Sequence, residues 1–287
     1  GQHRLLSMDS IRSKKQLGIF IKLIQNYVAN GFLDAKTEQI PEISDLEQMA
    51  ASGTSLPRPV LAVIQAYTKM NIYDRLMNSN ILDDPYFIEF YEHYFPVTIR
   101  KKIGKKIPKH RLQRNILGTI LTNKIINQAG ILFFFQMEQM TGKPVDQIAK
   151  AYYLLDSSFG THELRQLIIQ EPIPEQDKYT ALIEIEHYLT EWTQSLLLLP
   201  NFDTSFEWAP LIGQLVAEIL PKITINKAAV ARWKHRGLPE TAAKQLVSLD
   251  GLNCITDILF LQLKFGIKGI AQIVDLIDTI ESKFELK

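Results

Sequence analysis

The stretch Leu56-Pro57-Arg58-Pro59-Val60-Leu61-Ala62-Val63-Ile64 runs on through Ala66-Tyr67-Thr68-Lys69 and leads, past Asn78-Ser79-Asn80, to Asp83-Asp84-Pro85-Tyr86-Phe87 and Tyr94-Phe95-Pro96. Pro59 suits the first turn of a helix, where a missing amide proton costs nothing. Apolar residues at 61, 64, 67, 70, 72, 73, 76 and 77 then recur at helical spacing. The spacing predicts one long helix with a buried face, stopped by the Asn-Ser-Asn run. Asp83 or Asp84 is placed to accept unpaired amide protons at the start of a second helix whose first residue is Pro85.

Working outward towards the N-terminus, residues 11–29 predict an amphipathic helix with Ile11, Leu17, Phe20, Ile21, Ile24 and Val28 inward, ended by Asn30-Gly31. Residues 34–49 carry Asp34, Glu38, Glu42, Asp45 and Glu47 against Lys36 and read as a solvated acidic loop and short helix. In the other direction the sign reverses. Arg100, Lys101, Lys102, Lys105, Lys106, Lys109, Arg111 and Arg114 follow one another with no acid between them. Such a run can grip phosphates. Its lysines also pair four apart on a helix carrying Ile99, Ile103 and Ile107, the pattern of a solvated outer face.

Leu112, Ile116, Leu117, Ile120, Leu121, Ile125 and Ile126 make a further stripe, and from Ile131 to Phe135 the chain is apolar all round, which predicts helix buried on every side. Thr141-Gly142-Lys143-Pro144 ends it. Val145, Ile148, Ala151, Tyr152, Leu155 and Phe159 start the next helix, as in a helical hairpin. Glu171-Pro172-Ile173-Pro174-Glu175 is the best candidate linker. Beyond it lie a long helix from Gln176 to Leu199, another to about Leu220, and three or four more from Asn226. Setting Val145 on Ile270 brings Gln147 onto Gln272, Ile148 onto Ile273, Ser157 onto Ser282 and Phe159 onto Phe284, a weak internal repeat. No segment alternates with period two for long enough to make a strand.

The fold expected is therefore all-α, a multi-helix orthogonal or hairpin bundle, with two related hairpin units if the repeat is real. Residues 1–55 form an N-terminal helix and acidic connector packed on the core, 56–170 the central helical core, and 171–287 a second helical half. At 287 residues and 46% hydrophobic the chain can bury a large core, near the size at which cores divide. A net charge of +1 gives it no global attraction to nucleic acid or an acidic membrane surface. Cys254 is the single cysteine, which excludes an internal disulfide and a thiolate-rich zinc site and suits a reducing cytoplasm. The longest uninterrupted apolar run, residues 129–135, is too short for a bilayer, and no signal peptide opens the chain, so no membrane partner is expected. The opening Gly1 is read as the cut end of a longer protein.

Motifs for chemistry are few. None of the 14 glycines are spaced Gly-x-Gly, as a dinucleotide turn requires, and the phosphate-cradling Gly-Lys-Ser/Thr loop is missing. His162-Glu163 opens like a zinc-protease helix, but Gln166 stands where the second ligand belongs. Glu184 and His187 have the Glu-x-x-His spacing of di-iron bundles without a second copy. His93 beside Glu89 and Glu92, and His110 beside Lys109 and Arg111, read as surface histidines. Phe133-Phe134-Phe135 reads as core. No catalytic, cofactor-binding or metal-ligating residue is assigned.

The central stretch resembles the C-terminal helical region of the large bacterial NAD-specific glutamate dehydrogenases. The likeness rests on Arg58-Pro59, Leu61-Ala62-Val63, Ala66-Tyr67 with Lys69, Asp83-Asp84-Pro85-Tyr86 and Tyr94-Phe95-Pro96. It continues through His110, Leu112, Arg114, Thr119, Asn123, Asn127, Gly130, Phe133, Thr141-Gly142 and Ala151-Tyr152, and thinly to Leu238-Pro239-Glu240 and Asp257-Ile258. Departures fall at Pro57, Val60, Arg111, Gln128 and Leu132, where threonine, glutamate, proline, arginine and threonine are expected. The resemblance implies a parent enzyme that converts glutamate and NAD to 2-oxoglutarate, ammonia and NADH. It implies that the nucleotide glycines and the catalytic lysine and aspartate lie upstream of this chain. It also implies that the upstream catalytic domain and further copies of the parent are the partners, and that this module serves packing, assembly or regulation. The alternative is a stand-alone helical scaffold or nucleic-acid-binding protein using the 100–114 face.

Overall fold

The computed structural model describes residues 2–87, 91, 94–103, 111–200 and 208–265, and every regular element among them is helical. The protein is all-α. It divides into two compact units, Gly1–Lys150 and Ala151–Lys287. The proposed repeat of 145–159 on 270–284 falls outside the described residues.

In the first unit, α1 spans Gln2–Ala29, α2 Ile43–Ala51 and α3 Arg58–Met77. α1 starts well ahead of Ile11 and is kinked at Gln16, whose φ of −116° and ψ of 15° leave the helical region. Its inward face carries Leu5, Met8, Leu17, Phe20, Leu23, Ile24 and Tyr27. Val28, expected inside, is 42% exposed, because at helical spacing Tyr27 takes the place below Ile24. α3 begins with Pro59 in its first turn, as expected. Its buried face holds Leu61, Ile64, Ile72 and Leu76 but also Gln65 and Thr68, while Met70 is exposed. Asp34 closes the acidic turn by accepting from the amides of Lys36 and Thr37, and Leu33, Ile40 and Leu46 anchor that segment on α1 and α3.

Two short 3₁₀ turns, Ile81–Asp83 and Pro85–Phe87, follow α3. The choice between the two aspartates falls on Asp84, whose Oδ1 accepts from the Tyr86 amide at 3.0 Å. The helix expected beyond Phe87 lies mostly outside the described residues. α4 spans Val97–Ile103 and α5 Gln113–Ala129. α5 packs on α3 and lies so close at Gly118 that a Cβ there would stand 3.2 Å from Met77 Sδ and from the Tyr73 ring. α6, Phe133–Thr141, turns 87° away from α5. The apolar run is thus not one continuing helix. Gly130, at φ +100°, ends α5, and Ile131 and Leu132 form the corner. The burial expected there holds for Ile131 through Phe134.

α7, Val145–Ser158, leads from the first unit into the second, and its predicted stripe from Val145 to Phe159 is buried. The second unit continues with α8 (Thr161–Gln170), α9 (Glu175–Leu197), α10 (Trp208–Ile219), α11 (Lys227–His235), α12 (Glu240–Ser248) and α13 (Cys254–Phe265). The Pro172-Pro174 segment sets the start of α9, whose first turn carries Glu175 and Asp177 against the helix dipole. α11 is capped by Asn226, which accepts from the Ala229 amide at 3.0 Å. Trp192 on α9 is the packing centre. It meets Phe159 edge-on at 4.4 Å and donates from Nε1 to Asn253. The helical segment Glu240–Lys264 is 25 residues long and contains an 18-residue stretch apolar enough, by length and composition, to span a bilayer. In the folded unit Ala242, Ala243, Leu246, Ile255, Ile258 and Leu259 are buried, with α12 on α8 and α13 on α9, as core helices are.

Candidate functional site

In the first unit, the residues that carried the family likeness meet at the ends of helices. Arg114 Nη2 donates to the carbonyls of Met77 at 2.9 Å and Ser79 at 2.6 Å, closing the C-terminus of α3, while its Nη1 pairs with Asp83 at 2.5 Å. These carbonyls have no helical partner, so a guanidinium beside them supplies donors and favourable charge together. Asp84 pairs with Lys150 at 3.0 Å. Between α3 and α5, Lys69 Nζ donates to Asn127 Oδ1 at 2.7 Å, and partial burial pulls the lysine below its ordinary pKa.

A cleft of about 90 Å³ opens between α1, α3 and α6. Its floor is Leu23, Ile72 and Phe134, and its polar rim includes Asn26, Asn71 and the Arg75–Glu138 pair. Tyr27 lies on one wall and donates to Thr68 Oγ1 at 3.1 Å, and burial pushes its phenol up to about 12. Beside the cleft, Asp9 and Arg12 of α1 grip the α5–α6 corner. Asp9 is fully enclosed, which raises its carboxyl even though Arg12, 2.8 Å away, and the Ile131 amide at 3.3 Å favour the charged form.

The second unit holds a buried ionic network. Arg165 on α8 lies between two carboxylates and is 4% exposed, with Asp156 on α7 at 1% and Glu186 on α9 at 3%. Its Nε and Nη2 reach Glu186 Oε1 at 2.7 and 2.6 Å, and Nη1 donates to Asp156. Tyr152 donates to Glu186 Oε2 at 2.7 Å, and Thr161 donates to Asp156 Oδ1 at 2.6 Å. Burial, then the Glu186 charge, holds the Tyr152 phenol well above its ordinary pKa. The Arg165 guanidinium is raised too, because the surrounding anions outweigh its own burial. Chemically the arrangement fixes one cation between three helices.

The sequence candidates do not converge. His162 and Glu163 are exposed on α8. Glu184 is partly buried, which raises its carboxyl, and takes a hydrogen bond from Trp233, whereas His187 is exposed and faces Glu191 at 3.4 Å. Cys254 donates to the Gly251 carbonyl at 3.3 Å. His93, Glu89, Glu92, His110 and Lys109 lie outside the described residues. Among the described residues no three histidines, cysteines or carboxylates come together as a metal cluster. Of the basic run, Lys101, Lys102 and Arg111 are exposed and Arg114 is engaged as above. On α4, Val97 and Ile99 are exposed beside the lysines. The buried ions Asp156, Arg165 and Glu186 carried no motif. The one signal was position: Asp156 adjoins Leu155, and Glu186 lies on the stripe of Leu182, Ile185 and Leu189.

A family model described as glutamate dehydrogenase, C-terminal, matches residues 53–287. The chain is similar to the NAD-specific glutamate dehydrogenase of Halomonas elongata, with 24% identity over 264 residues covering 88% of this chain and 16% of the relative. It is 29% identical over 167 residues to the enzyme of that name from Pseudomonas aeruginosa (58% and 10%), and 24% identical over 174 residues to that of Mycobacterium tuberculosis (60% and 11%). The chain thus spans between 10% and 16% of the length of these relatives.

Proposed function

The chain belongs to the glutamate dehydrogenase C-terminal family, and on that premise we propose that it is the helical C-terminal module of a larger NAD-specific glutamate dehydrogenase, where it steadies the catalytic part by packing. The parent oxidises glutamate with NAD to 2-oxoglutarate, ammonia and NADH. The residues for that chemistry belong to the rest of its length. The partners are the catalytic part of the same polypeptide and further copies of the parent, in the cytoplasm.

One observation carries this reading: polar side chains, among them residues on which the family resemblance rests, tie helix to helix. Lys69 is bonded to Asn127, Arg114 to the end of α3, and Asp84 to Lys150. NAD does not fit the cleft of the first unit, whose volume of about 90 Å³ is well below the roughly 300 Å³ at which pockets begin to hold even drug-sized ligands. No step of the reaction is therefore assigned to these residues.

The test is Phe134→Ala in the parent enzyme. Phe134 is 1% exposed and lies edge-on to Phe133 at 5.3 Å. Its truncation costs roughly 3 to 5 kcal/mol, a large part of the ~5 to 15 kcal/mol by which domains are stable. The yield of assembled enzyme should fall, while assembled molecules keep their Michaelis constants for NAD and glutamate. A raised Michaelis constant in intact molecules would mean that the module touches substrate.

A further inference from the structure

The family match begins at residue 53, yet the core of the first unit includes residues from ahead of it. Leu17, Phe20 and Ile24 of α1 pack in one cluster with Leu61 and Ile64 of α3 and with Ile131 and Leu132 of the corner. Polar contacts cross the same boundary. Ser13 Oγ accepts from the Leu56 amide at 3.1 Å, and Tyr27 bonds to Thr68.

The contacts of Asp9 and Arg12 are more particular. Where α5 stops and α6 has not begun, backbone groups lose their helical partners. Arg12 Nη2 donates to one of them, the Gln128 carbonyl, at 3.0 Å, and Asp9 Oδ2 accepts from another, the Ile131 amide. One Asp-x-x-Arg pair on one face of α1 thus caps both sides of the corner. The fit leaves no room for a side chain at Gly130: a Cβ there would stand 2.7 Å from Arg12 Nη1 and from Asp9 Oδ1.

We infer that α3 and the α5–α6 corner form a helix-receiving groove whose occupant is α1, latched by Asp9 and Arg12 at Gly130, so that the folding unit of this family module includes a helix from ahead of the matched region. The turn at Gln16 separates a polar latch, residues 9 to 13, from the apolar part of α1 beyond it. The small cleft is walled by α1 and so exists only while α1 is seated.

The experiment uses the full chain with a specific protease site inserted after Gly53, in the exposed segment Ser52 to Thr54. After folding and cleavage, the N-terminal piece should co-elute with the remainder in native size-exclusion chromatography and leave it only in denaturant. With the piece labelled, dilution should show Arg12→Ala weakening retention at least tenfold, and Gly130→Ala likewise. Lys14→Ala, on the exposed side of the same helix, should change nothing. A piece that elutes alone from a remainder of unchanged helicity and melting temperature would overturn the groove. Unchanged retention in Arg12→Ala would overturn the latch, and this variant stands in if Gly130→Ala does not fold.

Discussion

Replacing Arg165 by methionine keeps the length and apolar volume of the side chain and removes its charge. It leaves Asp156 and Glu186 buried without their cation, with the Tyr152 and Thr161 hydroxyls still donating to them. Breaking a buried ion pair from one side costs roughly 3 to 5 kcal/mol, because the remaining charge cannot reach water. At the slopes typical of small domains that is a shift on the order of 2 M in the urea midpoint. The three tryptophans, Trp192, Trp208 and Trp233, all lie in the second unit, so tryptophan fluorescence reports its unfolding. Adding Asp156→Asn and Glu186→Gln should restore much of the midpoint. A midpoint unchanged by Arg165→Met would refute the network as an element of stability.

Two further outcomes follow from local geometry. Asp84→Ala removes the acceptor for the Tyr86 amide and the partner of Lys150, and should destabilise the first unit by about 1 kcal/mol in a thermal or urea melt, while Asp83→Ala, which breaks a more exposed pair, costs less. Tyr27 and Tyr188 are pushed up to about 12 by burial, so a tyrosinate absorbance titration should show late-ionising phenols. Because an unfolded phenol ionises near 10, stability should be intact below pH 10 and fall between pH 10 and 12, and a flat profile there would contradict their burial.

The helices were legible because apolar residues repeat. Leu61, Ile64, Ile72 and Leu76 mark the buried face of α3, and Val145 to Phe159 mark α7, in the sequence as in the structure. Polar residues inside were not legible, since periodicity assigns Gln65, Thr68, Asp156 and Glu186 to solvent by their chemistry alone. Only the position of the partner reveals their place, and Glu186 is separated from Arg165 by a whole helix turn-around. Gly130 was noted for its family likeness, but it lies within the uninterrupted run 129–135, which concealed an 87° corner. His187 and Glu184 show the opposite failure: correct spacing on one helix, with side chains that take different partners. The residues that tie the first unit together, Arg114, Lys69 and Asp84, were visible as a likeness before their roles as joints could be read.

The proposed support of the parent enzyme by this module is tested most directly by deleting the whole segment, α1 included, from the parent and following assembly and glutamate turnover per assembled particle in the same preparation. Support predicts that assembly and turnover fall together. Full assembly with turnover lost, or full assembly with full turnover, would contradict it.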